Sequence, residues 1–191
     1  LINGSAISAN EVNEKSNAVL EAWYPGQDGG KAVADILFGN YSPAGRLPVT
    51  FVKSMDQLPA FTDYSMEGRT YRYMREEPLY PFGYGLSYTK FEYGRLCLSS
   101  SEFKAGEPLT VKVDVTNAGT FGGDEVTELY LTDCEASVPV PRWSLKGFCR
   151  TRFSAGETRT LTFTLAPRDM ALINNDGKAV LEPGRFMLYV G

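Results

Sequence analysis

"PLYPFGYGLSYTKFEY", residues 78–93, sets six aromatic rings (Tyr80, Phe82, Tyr84, Tyr88, Phe91 and Tyr93) and two glycines into sixteen positions. The stretch divides two sequence grammars. Before it, apolar residues recur at helical spacing between short apolar runs; after it, apolar and polar residues alternate one by one. Rings gathered at such a change can form a ligand platform, an ordinary core strand or a joint between two bodies. A ring buried in a joint removes roughly 150–250 Å² from water, whereas a platform leaves that surface wet. The joint is therefore the expectation, with Gly83 and Gly85 letting the backbone pass closely through it.

Upstream, Glu11 to Lys15 can form a short helical turn, and the apolar run from Ala18 to Trp23 suits a buried parallel strand. In "QDGGKAVADILFGN", residues 27–40, Val33, Ile36 and Leu37 fall at helical spacing, Asp28 lies in the first turn and Gly39 is placed to end the helix in a left-handed conformation. Leu47 to Val52 reads as the next strand, so the order is strand, helix, strand. The opening Leu1-Ile2-Asn3-Gly4 reads as the tail of a buried strand entering a loop, and the expectation is a piece of a longer protein.

Downstream, Leu109, Val111, Val113 and Val115 alternate with Thr110, Lys112, Asp114 and Thr116. Leu161, Phe163 and Leu165 alternate with Thr160, Thr162 and Thr164. This is the period of half-buried antiparallel strands. Each run follows a Gly-Glu pair, at 106–107 and 156–157. Between them lies Glu125 to Leu131, and after the hairpin signal Asp176-Gly177 come strands over 178–182 and 186–190. Six or seven short strands in this space predict a β-sandwich of immunoglobulin-like or fibronectin type III-like shape. The fold expected is α/β plus all-β: an α/β body over residues 1–88, with the aromatic hinge from 78, then a β-sandwich over 89–191.

A chain of 191 residues is long enough for two cores of about 100 residues each. The net charge of −4 is spread evenly, with ten acids and eight bases in residues 1–90 and thirteen and eleven in the rest. Neither half has the basic field that nucleic acid requires, and no apolar run is long enough for a membrane span, so neither partner is expected. The chain contains no histidine, and Cys97, Cys134 and Cys149 are far apart. That removes the common zinc patterns and a Cys–His nucleophile; the thiols read as small strand residues, and no metal is expected.

Two motifs invite chemistry. "GQDGGKA", residues 26–32, resembles a phosphate loop, but its glycines are one residue too close and Ala32 stands where a magnesium-binding hydroxyl is required, so its glycines are read as shaping the turn into the helix. "MEGRTYRYMREE", residues 66–77, concentrates Glu67, Arg69 and Tyr71 with five further polar or aromatic residues. One reading is a loop that orients sugar hydroxyls through a guanidinium fork and amphipathic rings. The other is a strand with a solvated charged face that seals the joint. Asn3, Gly4 and Ser5 form a second plausible site edge or a tight turn. Carboxylates are plentiful, but sequence spacing does not pair an acid with a nucleophile.

Seven ordered blocks carry a resemblance over essentially the whole chain. "LINGSAIS", "VLEAWYPGQDGGKAVADILFGNYSPAGRLPVTF", "DYSMEGRTYRY", "EPLYPFGYGLSYTKFEY", "VTNAGTFGGDEVTELYL", "LKGFCR" and "LEPGRFMLYVG" resemble the C-terminal part of glycoside hydrolase family 3 enzymes, in the β-xylosidase and β-glucosidase branch. That family joins a TIM-type barrel, an α/β-sandwich domain and, often, a fibronectin type III-like domain. The resemblance implies that residues 1–88 are the later half of the α/β-sandwich domain and that the third domain follows. It also implies retaining hydrolysis of terminal β-linked xylose or glucose, without a cofactor, by an aspartate in the barrel and a glutamate upstream of the "LINGS" block. No catalytic residue then belongs to this chain, which alone should be inactive. Asn3, Glu67, Arg69 and Tyr71 stand as candidate substrate-binding residues.

The partners implied are an oligosaccharide or aryl glycoside and the upstream barrel and α/β portions. Half of a doubly wound domain should expose apolar surface, so self-association as a homodimer or aggregate is also expected. The family resemblance favours a secreted or periplasmic setting. A reading from a different class is an independent accessory module that binds polysaccharide or protein through the sandwich and the aromatic stretch.

Overall fold

In the computed structural model, which describes residues 1–2 and 4–191, the chain divides into two units, Leu1–Ser87 and Tyr88–Gly191. Among the described residues the first unit holds three short α-helices, α1 (Asn10–Lys15), α2 (Gly29–Leu37) and α3 (Thr70–Tyr73), and a 3-10 turn over Met55–Gln57. Helix α2 begins where the sequence places it, with Asp28 at the N-cap position. It stops because Gly39 takes a φ of +75°, and the Gly39 amide turns back onto the Ile36 carbonyl at 3.0 Å. Gly29 has a packing role: a β-carbon there would lie 2.7 Å from the Pro25 ring.

The expected strands of this unit are reduced to isolated pairings. Ile2 pairs with Glu21 in parallel, so the direction expected for 18–23 is present, but residues 19–23 are half-buried rather than buried. The expected strand over 47–52 is corrected. Only Phe51 forms a bridge, and it runs antiparallel to Tyr80. Leu47 and Phe51 exchange backbone hydrogen bonds of 2.8–3.2 Å with residues 79–84. A parallel strand of an α/β sheet is covered on both faces, whereas Pro48 and Val49 are exposed. Gly85 belongs to the same backbone crossing, since a β-carbon there would overlap the Gly45 carbonyl oxygen.

The second unit has nine strands rather than the expected six or seven. They are β1 (Phe91–Tyr93), β2 (Cys97–Leu98), β3 (Leu109–Asn117), β4 (Gly123–Asp133), β5 (Ser144–Phe153), β6 (Thr158–Leu165), β7 (Leu172–Ile173), β8 (Ala179–Val180) and β9 (Phe186–Val190). Of these, β2 and β7 are two-residue pairs too short to show alternation, and the strand expected over 178–182 is reduced to the two residues of β8. In one sheet β3 is central, with β6 along one side and β1 and β2 sharing the other. In the other sheet β4 is central between β5 and β9, with a bulge between Leu129 and Tyr130. The β7–β8 hairpin turns through Gly177 at φ +74°, and the Asn174 side-chain oxygen accepts the amides of Asp176 and Lys178, each at 3.0 Å.

Alternation sends Leu109, Val111, Val113 and Val115 of β3 and Leu161, Phe163 and Leu165 of β6 into one core with Leu129, Leu131 and Phe153. The inward positions of β4 also include two polar side chains, Glu125 and Thr127, both buried. They are accommodated because the Tyr93 hydroxyl donates to Glu125 Oε1 at 2.7 Å and lies 3.3 Å from Thr127 Oγ1, which removes most of the cost of burying a polar group unpaired.

Candidate functional site

The charged loop before α3 is closed by one guanidinium. Arg69 Nη2 donates to the carbonyls of Ala60, Asp63 and Pro59 at 2.6, 3.1 and 3.3 Å. The loop turns because Met66 and Gly68 adopt φ values of +64° and +71°, and Thr70 then enters α3 at +55°. A left-handed β-branched residue costs about 1–2 kcal/mol, so the threonine marks strain held by its surroundings. Asp63 Oδ1 accepts the Ser65 amide at 2.9 Å, and the Glu67 amide donates to Ser65 Oγ at 3.4 Å. These are the local turns that acidic and hydroxyl side chains favour. Phe61 and Tyr64 stand at the tip, 90% and 85% exposed.

Of the four candidate sugar contacts, Glu67, Arg69 and Tyr71 share this loop and the first turn of α3. Glu67 is exposed and Arg69 and Tyr71 are half-buried. Asn3 lies outside the described residues. Arg69 directs Nη2 into its own loop, so its visible task is to fix the loop's shape. The Tyr71 ring stacks on Phe82 at 4.2 Å and 18°, with the Arg72 guanidinium 5.8 Å from its centroid.

The six rings of the opening stretch divide between the two units. Tyr80 stacks on Tyr84 at 5.2 Å and meets Phe51 edge-on at 6.2 Å, and Phe51 meets Trp23 at 6.1 Å. The Tyr80 hydroxyl donates to Asn13 Oδ1 at 2.5 Å. Burial, with Tyr84 beside it, pushes the Tyr80 phenol above its usual range. Phe91 and Tyr93 instead enter the core of the second unit, Phe91 at 5.5 Å from Phe153. Tyr84 and Tyr88 stay 38% and 48% exposed.

The loop carries a pH signature. The Ser65 amide and hydroxyl, and then Arg69, hold the Asp63 carboxyl below its ordinary range. A depressed carboxyl contributes its stabilisation above the unfolded value and loses it as pH falls through the folded one. The loop should therefore be closed at pH 6 and loosen below about pH 4. Amide exchange of residues 59–69 should accelerate on acidification in the native chain and be fast and nearly independent of this titration in Asp63→Asn.

The second unit contains a cleft of about 460 Å³ lined chiefly by Leu98, Phe103, Met170, Phe186 and Leu188, with Glu135 and Arg185 also on its wall. Its walls come from segments far apart in the chain, so no single motif announces it. Among the described residues no cluster of three or more His, Cys, Asp or Glu could hold a metal ion, and no helix is long and apolar enough to cross a membrane. None of the three cysteines is in a disulfide. Among the described residues the geometry singles out no carboxylate pair for glycoside chemistry.

Comparison with known proteins gives this arrangement a family. Residues 1–88 match the glycosyl hydrolase family 3 C-terminal domain and residues 125–191 the fibronectin type III-like domain. A xylan 1,4-β-xylosidase of Xylanibacter ruminicola is 42% identical over 98% of this chain and 22% of that protein. A periplasmic β-glucosidase of Salmonella typhimurium is 37% identical over 100% of this chain and 27% of that protein. Among solved structures, a β-glucosidase of Erythrobacter marinus superposes with a TM-score of 0.89 at 38% identity, covering 100% of this chain and 25% of that one. A β-glucosidase of Listeria innocua in complex with isofagomine superposes with a TM-score of 0.87 at 34% identity, covering 99% of this chain and 28% of that one. The chain thus spans about a quarter of the length of the relatives it matches. With both halves matched in order along its length, the chain belongs to glycoside hydrolase family 3, carrying the family's C-terminal domain followed by a fibronectin type III-like domain.

Proposed function

We propose that this chain is the C-terminal portion of a retaining β-glycosidase that removes terminal β-linked xylose or glucose from oligosaccharides. The observation that carries the reading is the match of nearly the whole chain, at 42% and 37% identity, to a β-xylosidase and a β-glucosidase of about four times its length. Retaining hydrolysis needs two carboxyl groups about 5–5.5 Å apart, one as nucleophile and one as acid and then base. In this reading both come from sequence upstream of the segment, and residues 1–88 complete the α/β domain that carries one wall of the site. Glu67 and Tyr71, with Asn3, would meet sugar hydroxyls at the edge of the pocket, while Arg69 keeps the loop in shape.

The surface of the first unit supports a docking role. Tyr24, Phe38 and Phe61 are 82%, 81% and 90% exposed, bare apolar surface that a covering partner would remove from water. The occupant in this reading is the upstream α/β and barrel portion, with a homodimer as the state of the isolated chain. Rejoined to its upstream sequence, the protein should release p-nitrophenol from aryl β-xyloside or β-glucoside, and proton NMR should show the β-anomer of the sugar first. A rejoined, folded protein inert towards both, or yielding the α-anomer first, would sink the reading.

A further inference from the structure

The outward face of the β5–β4–β9 sheet has a chemistry that the hydrolytic reading does not use. Tyr130 of β4 and Tyr189 of β9 are cross-strand partners. The Trp143 indole lies 4.3 Å from the Tyr189 ring and 6.2 Å from that of Tyr130. Trp143 is 37% exposed, and Phe148, further along β5, is 68% exposed. The Tyr130 hydroxyl donates to Glu128 Oε2, which holds one carboxylate among the rings.

At the far end of the same face stand two arginines. Arg150 and Arg152 both bind Asp124, with Arg150 Nη2 2.7 Å from Oδ2 and Arg152 Nη1 3.1 Å from Oδ1. Their side chains are 56% and 59% exposed and that of Asp124 14%, so two cations meet one acid and the end of the strip is net positive. The underlying sequence, "RWSLKGFCRTRF" (residues 142–153), contains four cations and no acid in a chain whose net charge is −4. From Tyr130 to Asp124 is six residues of strand, about 20 Å at 3.3 Å per residue. That is room for several sugar rings in a row.

We propose that this face binds an extended β-linked polysaccharide bearing uronate side groups, separately from the hydrolytic pocket. Aromatic planes take the apolar faces of successive sugars, and the buried Glu128 carboxylate holds the Tyr130 hydroxyl, and so its ring, in place beneath them. The arginine pair selects the acid-substituted chain by charge complementarity: guanidinium forks pair with carboxylates in two-point geometry. The assignment rests on the glycosidase reading for its choice of glycan over other polyanions, but not on any residue of the proposed sugar pocket.

The test is native-gel retardation of the 191-residue chain, and of the protein rejoined to its upstream sequence, in gels containing glucuronoxylan, neutral arabinoxylan or dextran sulfate. The chain should be retarded by glucuronoxylan about fivefold more strongly than by the neutral polymer, the factor expected of one surface ion pair near 1 kcal/mol. The double change Arg150→Gln and Arg152→Gln should erase that excess while leaving retardation by arabinoxylan. Trp143→Ala should abolish both. Phe148→Ala, at a side chain outside the core, should weaken both without lowering the melting temperature.

Absence of retardation by either xylan, retardation unchanged in Trp143→Ala and Phe148→Ala, or equal retardation by dextran sulfate would overturn the proposal. So would retardation of the isolated chain that vanishes in the rejoined protein, because the face would then be covered by its own upstream portion. Aryl-glycoside hydrolysis by the rejoined protein reads the catalytic assignment independently, so failure of one inference is distinguishable from failure of the other.

Discussion

Phe153→Ala should lower the unfolding free energy of the second unit by about 3–5 kcal/mol, the loss seen when a large aromatic ring is removed from a packed core. Phe153 is fully buried at the end of β5. Its ring meets Phe91 edge-on at 5.5 Å, and the Arg159 guanidinium lies 5.8 Å from its centroid. The ring therefore joins β1 of one sheet to β5 of the other. A loss of that size is a large part of the 5–15 kcal/mol that holds an ordinary domain. Urea denaturation followed by circular dichroism should show a midpoint far below that of the native chain, with a similar slope. Phe153→Leu, which keeps most of the apolar volume, should recover much of the difference. A midpoint within error of the native value for Phe153→Ala would show that the two sheets are not joined through this ring.

Asn117→Ala should cost about 3 kcal/mol, through several hydrogen-bonding groups left without their partner at once. Asn117 is fully buried. Its Oδ1 accepts the Thr89 hydroxyl at 2.5 Å and the Gly119 amide at 3.1 Å, and its Nδ2 donates to the Phe121 carbonyl at 2.7 Å. One amide thus ties the entry to β1 to the turn between β3 and β4. A β-carbon at Gly119 would crowd the same Thr89 side chain, so the turn has no room to rearrange around a lost partner. Asn117→Asp is the informative control. A carboxylate can still accept from Thr89 and Gly119, but at pH 7 it buries a charge with one oxygen against the Phe121 carbonyl, so its thermal melting should fall at or below that of Asn117→Ala.

The sandwich was legible because alternation is a local signal. Val111, Val113 and Val115 announce their inward face without reference to any partner, and the Gly106 and Gly156 turns fix where the long strands begin. The two-residue strands β2 and β7 carry no such period, which is why the expected strand number is low. In the first unit, the helix over 29–37 was legible from its spacing and its terminal glycine, whereas 47–52 was not. An apolar run does not reveal which segment it pairs with, and here the partner is 79–84 rather than a neighbour across a helix.

Glu125 shows a different limit. Its parity with Leu129 and Leu131 points inward while its charge argues outward, and the conflict is decided by Tyr93, 32 residues away in sequence. The candidate loop was legible in its residue types but not in their geometry: the polarity of Arg69 suggests a ligand, and the structure directs one nitrogen of its guanidinium to three carbonyls of the same loop. The outer cluster of Tyr130, Trp143 and Tyr189 has no sequence period at all, because strand pairing alone assembles it.

The central claim is a division of labour in which the reacting carboxyl groups lie in the upstream portion and this chain supplies structure. Its most direct test is a continuous assay of the purified 191-residue chain with p-nitrophenyl β-xyloside and β-glucoside, run beside the same chain rejoined to its upstream sequence. The account predicts no turnover above the buffer rate for the chain alone and steady release of p-nitrophenol by the rejoined protein. Turnover by the chain alone that rises in proportion to its concentration and survives further purification would contradict it.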